Sequence, residues 1–253
     1  MNTIKLCAGQ GVRGKSACWM SAIGAWARGE WTGDKAGDCV DESIRALGIA
    51  INDTLTQDGR DRLILPRLLD PLGTRDDSAA MRRMYILVDA AVRVWAADAL
   101  EYAGSATAQE LRGLQRIDGQ RAASVAAREA CDAASCACDT PSGATPGRSA
   151  SYACDAASCA CAARNGDAIS ACDAAGHARD AAHNAFDANN ACVAGPVGDA
   201  YIERRVFPVM DALIAAGRHA PTERGCSEAE FFALIGSSRR KNGAGICLGE
   251  ESE

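Results

Sequence analysis

The stretch Asp77–Gly104, DSAAMRRMYILVDAAVRVWAADALEYAG, decides the fold class. Its apolar side chains recur every three or four residues, at Met81, Met84, Tyr85, Val88, Ala91, Val92, Trp95, Ala99 and Tyr102. This spacing places them on one face of a helix that begins at Asp77 or Ser78 and runs to about Tyr102. Gly104 suits the left-handed residue that ends a helix. The stretch therefore predicts the strongest helix of the chain.

Further helices are predicted on either side of this one. Ser16 is a suitable N-cap for a first helix, and Asp41 is one for a second helix. Residues 107–117 and 199–217 continue the helical pattern, and Pro208 should kink or restart the latter helix. We expect no strand beyond the first few residues. The sequence therefore predicts an all-α fold, a multi-helix bundle.

A repeat of small residues follows these first helices. The nonapeptide ACDAASCAC occurs at Ala130–Cys138 and again at Ala153–Cys161. Between the copies, TPSGATPGRS predicts a loop at residues 140–150. Aspartates then recur every seven residues among alanines over residues 173–187. Because alanine is the best helix former, we expect an Ala/Cys-rich helical repeat region.

These patterns divide the chain into four segments. Residues 1–16 are Gly-rich and basic, and we expect a flexible N-terminus there. Residues 17–118 are expected to form a helical domain. Residues 119–195 hold the Ala/Cys/Asp-rich helical repeats with their loop. Residues 196–253 hold a closing amphipathic helix and a polar tail.

Composition and charge exclude several classes of protein. The chain has 253 residues, of which 48% are hydrophobic but only 5% aromatic, and its net charge is -6. A net negative chain repels a phosphate backbone, so general nucleic-acid binding is disfavoured. No stretch of 18 or more apolar residues is present, which disfavours a membrane span.

The cysteine content points to a compartment. Thirteen cysteines are present, an odd number, so they cannot all pair within the chain. Eight of them lie between Cys131 and Cys192. The first residues, MNTIKLCAGQ, lack the apolar core of a secretion signal. We therefore expect a cytoplasmic protein whose thiols are mostly reduced.

One segment near the N-terminus matches a nucleotide-binding motif. Gly9-Gln-Gly-Val-Arg-Gly14-Lys15-Ser16 fits the P-loop pattern GxxxxGK[ST], in which amides and the lysine hold phosphates and the serine binds Mg²⁺. The run Tyr85–Asp89 could supply the second half of such a site. A P-loop follows a buried parallel strand, however, and the sequence predicts no parallel sheet. We expect an incidental match, with nucleotide binding as an alternative.

The two nonapeptides carry six candidate ligands for a soft metal ion, Zn²⁺ or Cu(I): Cys131, Cys136, Cys138, Cys154, Cys159 and Cys161. His177 and His183 could add nitrogen ligands. On an intact helix, however, Cys136 and Cys138 point about 200° apart and cannot bind one ion. Cys131 and Cys138 share a face, where cysteine packs as a small apolar residue. We therefore expect packing and no cofactor, with zinc or copper as the alternative.

Several short motifs support a family resemblance. In chain order they are Cys18-Trp19-Met20, Gly29-Glu30-Trp31-Thr32 with Asp34, Cys39, Asn52-Asp53, Asp61-Arg62-Leu63, Leu65-Pro66, and Gly73-Thr74 before the Arg82-Arg83 helix. With them, residues 17–104 resemble a group of uncharacterised proteins of actinobacteria and their tailed phages. The chain departs from that group at Ser21, where glutamate is usual, and in the repeat, where cysteine replaces alanine and tyrosine. The resemblance implies a helical fold and a phage-type genomic context, but no biochemical activity.

Three functions are compatible with these observations. The first is a non-enzymatic, phage-type accessory protein that acts through helix-mediated protein contacts or self-association, because helices of small residues need neighbours to build a core. Its partner is then a protein or a second copy, and we expect a homo-oligomer. The alternatives are a thiol-rich zinc- or copper-binding protein and a P-loop nucleotide binder that uses Lys15 and Ser16. We assign no catalytic residue.

Overall fold

Helices dominate the structure. It is a computed structural model that describes residues 2–31, 33, 39–138, 144–162, 173–174, 176–182, 184–185, 196–217, 225–235 and 237–239. The predicted all-α, multi-helix fold is confirmed. Within these residues, no helix combines the length and the apolar content needed to cross a bilayer.

Two small antiparallel sheets involve the N-terminal segment. β1 (Asn2–Ile4) pairs with β4 (Ser237–Arg239), and β2 (Gly11–Val12) pairs with β3 (Ser16–Ala17). Leu6 is fully buried, and Ile4 on β1 is nearly so. The expected flexible N-terminus, residues 1–16, is therefore wrong for residues 2–16. Burial of these two side chains and pairing with a C-terminal strand hold the segment in place.

The first helices begin at side-chain caps. They are α1 (Trp19–Arg28), α2 (Glu42–Thr54) and α3 (Gln57–Gly59), the last continued by a π-helical turn (Arg60–Ile64) and a 3₁₀ turn (Leu65–Arg67). Cys18, and not the expected Ser16, caps α1, because its Sγ accepts a hydrogen bond from the Ser21 amide at 3.2 Å. Asp41 caps α2 as predicted, accepting from the Ser43 amide at 2.9 Å.

The predicted long helix forms and lies at the centre of the fold. This central helix consists of α4 (Asp77–Ala90), a π-helical turn (Ala91–Ala96) and α5 (Ala97–Tyr102). Asp76 caps it by accepting from the Ser78 amide at 3.0 Å. Gly104, at φ 75°, follows the end of the helix as predicted. No residue from Leu87 to Leu100 is exposed, so neighbouring elements cover this part on every side.

The repeat region forms a helical hairpin. After α6 (Thr107–Gly113), the hairpin consists of α7 (Gln120–Cys138) and α8 (Ala144–Ala162), which pack closely along each other. Only five residues connect the two helices, so they run antiparallel. The loop expected at 140–150 is wrong from residue 144 onward, and residues 140–143 lie outside the described part. Pro146 fits the first turn of α8, because an amide there has no partner within the helix to lose.

Alanine faces join the hairpin to the rest of the chain. α8 lies between α7 and the central helix. Its fully buried alanines are Ala150, Ala153, Ala156, Ala157 and Ala160. Helical residues 176–182 lie against α8 as well, since the Ser149 hydroxyl donates to the Ala181 carbonyl at 2.9 Å. Among the described residues, the segments predicted from the sequence share one continuous hydrophobic core.

The last helices pack on the first. The closing helix consists of α9 (Pro196–Tyr201), a π-helical turn (Ile202–Val206) and α10 (Phe207–Ala215), and α11 (Glu228–Ile235) follows it. Pro208 lies in the first turn of α10, so the helix restarts there as expected. Arg83 of the central helix is fully buried, and its Nε donates to the Leu213 carbonyl at 2.9 Å. Asp41 pairs with the same guanidinium at 3.3 Å.

The alanine packing can be tested at Ala157. Leucine at this fully buried position adds three carbon atoms between helices that already touch. We expect Ala157→Leu to lower the free energy of unfolding by about 2 kcal/mol or more. Ser151, on the exposed side of α8, offers the matched control, and Ser151→Leu should change it by less than about 0.5 kcal/mol. Urea unfolding of both variants measures the difference, and equal midpoints would contradict close packing.

Candidate functional site

The P-loop match lies in a β-hairpin. Ser16 belongs to β3, which pairs with β2, and residues 13–15 form the turn between these strands. The next helix begins at Trp19, beyond the motif. A P-loop instead connects a strand to a helix that starts within the motif. The local structure of Gly9, Gly14, Lys15 and Ser16 therefore differs from that of a phosphate-binding loop.

Backbone amides of this segment already donate to protein acceptors. The pairs are Gly9 and Asp53 Oδ1 at 2.7 Å, Gly14 and the Leu234 carbonyl at 2.7 Å, and Lys15 and the Val12 carbonyl at 2.9 Å. A phosphate would have to compete with these bonds for the same hydrogens. Nucleotide binding stays a prediction that this arrangement does not favour.

The second half of the proposed nucleotide site is helical. Tyr85–Asp89 lies within α4, as the sequence predicted. Asp89, however, is not simply solvated. Its carboxylate accepts from Arg93 at 3.1 Å and from the Ile117 amide at 2.8 Å. Asp89 thus fixes the chain segment that leads into α7.

The six candidate metal ligands differ in exposure. Cys154 is buried, Cys159 and Cys161 are half-buried, and Cys131 and Cys136 are exposed. The packing interpretation therefore fits Cys154 but is wrong for Cys131. Cys138 ends α7, and its side chain lies outside the described part.

The antiparallel hairpin brings one thiol from each nonapeptide together. Burial raises the pKa of the Cys154 thiol to about 12, and the nearby Cys131 thiol on the facing helix α7 contributes in the same direction. With this register, Cys159 faces residue 126 of α7. Cys136 is ten residues further along that helix, a separation of about 15 Å at 1.5 Å per residue. Cys136 and Cys159 are therefore not brought together.

No larger ligand cluster accompanies this pair. Among the described residues, no group of three or more His, Cys, Asp or Glu side chains is arranged to hold a metal ion. His177 stacks on Tyr152 with ring centroids 6.4 Å apart, and His183 lies outside the described residues. Zinc or copper binding by the cysteines remains an untested alternative.

The outer face of α7 is a candidate interaction surface. Its exposed residues are Arg121, Ser124, Val125, Arg128, Cys131, Asp132, Ser135 and Cys136. We call this set the outer α7 face. Val125 is 42% exposed and borders a groove of about 520 Å³ that Leu114 and Arg121 also line. The face therefore offers one exposed apolar side chain beside a groove, among small and charged residues.

A cluster of charges around Asp98 was missed in the sequence. Its carboxylate is 7% exposed and accepts from Arg205 at 2.7 and 2.9 Å and from Arg112 at 2.7 Å. The Tyr201 hydroxyl donates to it at 3.0 Å, and Arg112 also pairs with Glu101 at 2.5 Å. We call these five residues the Asp98 cluster. It ties the closing helix and α6 to the central helix.

The pKa shifts within the Asp98 cluster indicate that it stabilises the fold. Burial raises the pKa of Asp98, but hydrogen bonds from Arg205 and Arg112 outweigh burial and leave that pKa below its ordinary value. Burial and the nearby Asp98 carboxylate raise the pKa of Tyr201 above its ordinary value. These shifts move both groups away from neutral pH, whereas an acid–base catalyst needs a pKa near the working pH. The cluster therefore suits structure better than proton transfer.

Only a weak signal could have revealed this cluster. Asp98 is a single charge in the apolar turn Ala-Ala-Asp-Ala-Leu of residues 96–100. A carboxylate in such a position is rarely buried without partners. Its partners Tyr201 and Arg205 are more than one hundred residues away along the chain, so their identity could not be deduced.

Neutralising Asp98 should destabilise the protein. Asp98→Asn removes the buried carboxylate that Arg205 and Arg112 share, and we expect a loss of about 2 kcal/mol or more in the free energy of unfolding. Asp211, whose side chain is 57% exposed where it pairs with Arg67, provides the control. Asp211→Asn should cost less than about 1 kcal/mol. Chemical denaturation of the three proteins at pH 7 tests this, and equal losses would contradict it.

The loss of stability caused by Asp98→Asn should depend on pH. The pKa of Asp98 is lower in the folded protein than in the unfolded chain, where it is about 3.9. The ionised carboxylate therefore stabilises the fold above about pH 3.9, and this stabilisation is lost as the pH falls through the pKa of the folded state. The gap in stability between wild type and Asp98→Asn should therefore be constant from pH 5 to 7 and narrow below about pH 4. A gap that widens under acid would contradict the assignment.

Comparisons with known proteins identified no relative of this chain. The chain matches no protein-family model, no curated protein and no solved structure. A functional conclusion must therefore rest on the geometry of the residues described above.

Proposed function

We propose that the chain is a non-enzymatic, phage-type accessory protein of the cytoplasm that acts through helix-mediated protein contacts, and that it self-associates through the outer α7 face. The observation that carries this proposal is the exposure of that face along the whole of α7. The phage-type assignment rests on the motif resemblance of residues 17–104. The cytoplasmic assignment rests on the thirteen cysteines.

The position of α7 supports a contact role. α7 packs mainly on α8 and touches α6 and the central helix at fewer points, so one of its long sides is left to solvent. That side carries small side chains and Val125, with charges at intervals. Small residues allow a second helix to approach closely without losing much side-chain entropy. The face therefore suits contact with another helix.

Charge complementarity favours a second copy as the partner. Arg121 and Asp132 are eleven residues apart, about three helical turns, and therefore lie on the same side of α7. When two α7 helices cross antiparallel midway between them, each Arg121 lies opposite an Asp132 of the other copy. Such a two-fold contact forms two equivalent ion pairs and places Val125 near the crossing point.

The Asp98 cluster supports a role without catalysis. Its pKa shifts suit a structural tie, and its two arginines are already engaged by carboxylates. The cysteine alternative has little support among the described residues, because the antiparallel hairpin sets Cys136 about 15 Å from Cys159 along its axis. Protein contact is thus the function that the described residues favour.

A charge at Val125 should disrupt the self-association. Val125→Asp places a carboxylate at the crossing point, where the second copy would have to desolvate it. We expect dimer at micromolar concentrations for the wild type and at least a tenfold weaker dimer for the variant, measured by sedimentation velocity. Val197→Asp is the matched control, because Val197 is 53% exposed on α9, away from the face.

Charge exchange gives a second, more specific control. Asp132→Arg should weaken the dimer, because the new arginine lies opposite Arg121 of the second copy and the like charges repel. The double variant Arg121→Asp with Asp132→Arg should restore the dimer, because it exchanges the two charges. A wild type that stays monomeric up to about 100 μM, or equal weakening by Val125→Asp and Val197→Asp, would contradict self-association through this face.

Native mass spectrometry distinguishes the protein-contact function from the metal alternative. Protein purified without oxygen should appear as a dimer with no bound metal, and a chelator should leave its mass unchanged. A monomer that carries stoichiometric zinc or copper, which the chelator removes, would favour the thiol-rich metal binder instead.

A further inference from the structure

Strand pairing assembles a small sheet from the two ends of the described chain. β1 pairs with β4, β2 pairs with β3, and a parallel bridge between Leu6 and Ala17 joins the two pairs. At this bridge the Ala17 amide donates to the Lys5 carbonyl at 3.1 Å. The pairing therefore brings residues 2–17 and residues 237–239 into one surface.

One face of this sheet is buried and the other is open to solvent. Successive side chains of a strand point to opposite faces, and Leu6 is buried whereas its neighbour Lys5 is exposed. Val12, which pairs with Ser16, is 55% exposed, and the turn between β2 and β3 carries two further exposed cations. We define the basic sheet face as Lys5, Val12, Arg13, Lys15 and Ser16.

The charge of these segments is opposite to that of the whole chain. Residues 1–17 and 231–249 together contain six Lys or Arg and no Asp or Glu. The remaining residues contain 21 Lys or Arg and 33 Asp or Glu, a net charge of -12. Positive charge gathered on one face of an acidic protein attracts a polyanion to that face. The net charge of the chain therefore disfavours binding through its whole surface, but not through this face.

The cations of the basic sheet face are not neutralised by the part of the chain that the structure describes. No described carboxylate pairs with Lys5, Arg13 or Lys15, whereas arginines of the central and closing helices pair with carboxylates. Asp53 touches the segment, but there its carboxylate accepts from the Gly9 amide at 2.7 Å. Three positive charges are thus available to an external partner.

We propose that the basic sheet face binds the phosphate backbone of a duplex nucleic acid. Lys, Arg and Ser side chains are among the groups that contact phosphates, and the face consists of these types and Val12. It carries no aromatic side chain on which the unpaired bases of a single strand could stack. It also lacks the large apolar side chains that enter a membrane interface. It shares no residue with the outer α7 face, so the inference does not depend on self-association.

Contacts of this kind predict salt-dependent binding without sequence preference. Each side chain that neutralises a phosphate releases counterions, so the logarithm of the binding constant falls with the logarithm of the salt concentration by about 0.9 per contact. Three contacts give a slope of about -2.7. Affinity should then fall about 40-fold between about 50 and 200 mM salt.

Fluorescence anisotropy with a labelled duplex DNA of about 20 base pairs tests the proposal on the full chain, and we expect a Kd of about 1–100 μM at about 50 mM salt. Arg13→Ala with Lys15→Ala should weaken binding at least about fivefold and make the slope shallower by about 2, because two phosphate contacts are lost. Arg13→Lys with Lys15→Arg keeps both charges and should bind within about twofold of the wild type.

Two further variants make the test specific. Arg82→Ala with Arg116→Ala, the matched control, removes the same charge from exposed arginines outside the sheet and should change Kd by less than about twofold. Lys5→Ala lies outside the turn and should make the slope shallower by about 1, so it tests the same face even if the turn variant does not fold.

Four outcomes would overturn the proposal. They are a wild type that does not bind the duplex up to about 100 μM at about 50 mM salt, an affinity that does not fall with salt, an equal loss in the turn variant and its control, and tighter binding to single-stranded DNA than to the duplex. Vesicles of phosphatidylcholine and phosphatidylglycerol provide the last comparison. If they bind more tightly than the duplex and the same substitutions weaken that binding, the face belongs to a membrane contact and the proposal is wrong.

Discussion

The burial of the central helix on every side is the constraint on which the other packing depends. Because no residue is exposed between Leu87 and Leu100, this part of the helix could not lie at a surface without offering apolar area to water. α2, α6, α8 and the closing helix all pack against it. Four neighbours around one helix leave little volume for each side chain. Alanine lets α8 approach closely at almost no cost in side-chain entropy, so the composition of the repeat is explained by packing within the chain. Small residues alone therefore do not argue for self-association, and that proposal rests on the opposite side of the hairpin.

Apolar spacing and capping residues were sufficient to predict the helices whose ends depend on residues nearby in the sequence. The central helix begins at Asp77 and ends before Gly104, as its apolar period and Gly104 predict, and Asp41 caps α2 as predicted. The loop expected at 140–150 shows the limit of the same reasoning. The stretch TPSGATPGRS predicts a loop because of its prolines, glycines and serines, but proline disrupts a helix only in the interior. The sequence does not show that the first turn of α8 falls at Pro146.

Long-range pairing accounts for most of what the sequence could not predict. β1 has only three residues and forms by pairing with β4, which is more than two hundred residues away in the sequence. No local sequence pattern therefore indicates this strand. The Asp98 cluster likewise joins segments more than one hundred residues apart. A lone carboxylate in an apolar turn is a sign that such partners exist, but it carries no information about which ones they are. The influence of Cys131 on the pKa of Cys154 could likewise not be predicted, because it depends on the antiparallel register of the hairpin.

The direction of the two repeat copies explains why Cys136 and Cys159 are separated. Two identical nonapeptides in parallel helices would set each cysteine beside its own copy, and three thiols would face three thiols along one interface. In an antiparallel hairpin the two copies run in opposite directions. Their first residues lie opposite each other, and the later residues of each copy move apart along the helix axes. Here that point brings Cys131 beside Cys154, and Cys136 and Cys159 lie about 15 Å apart along the hairpin. A cluster of soft ligands needs several thiols to converge, and among the described residues this direction of packing separates Cys136 from Cys159. The direction of the second helix, more than the number of cysteines, therefore decides which chemistry the hairpin supports.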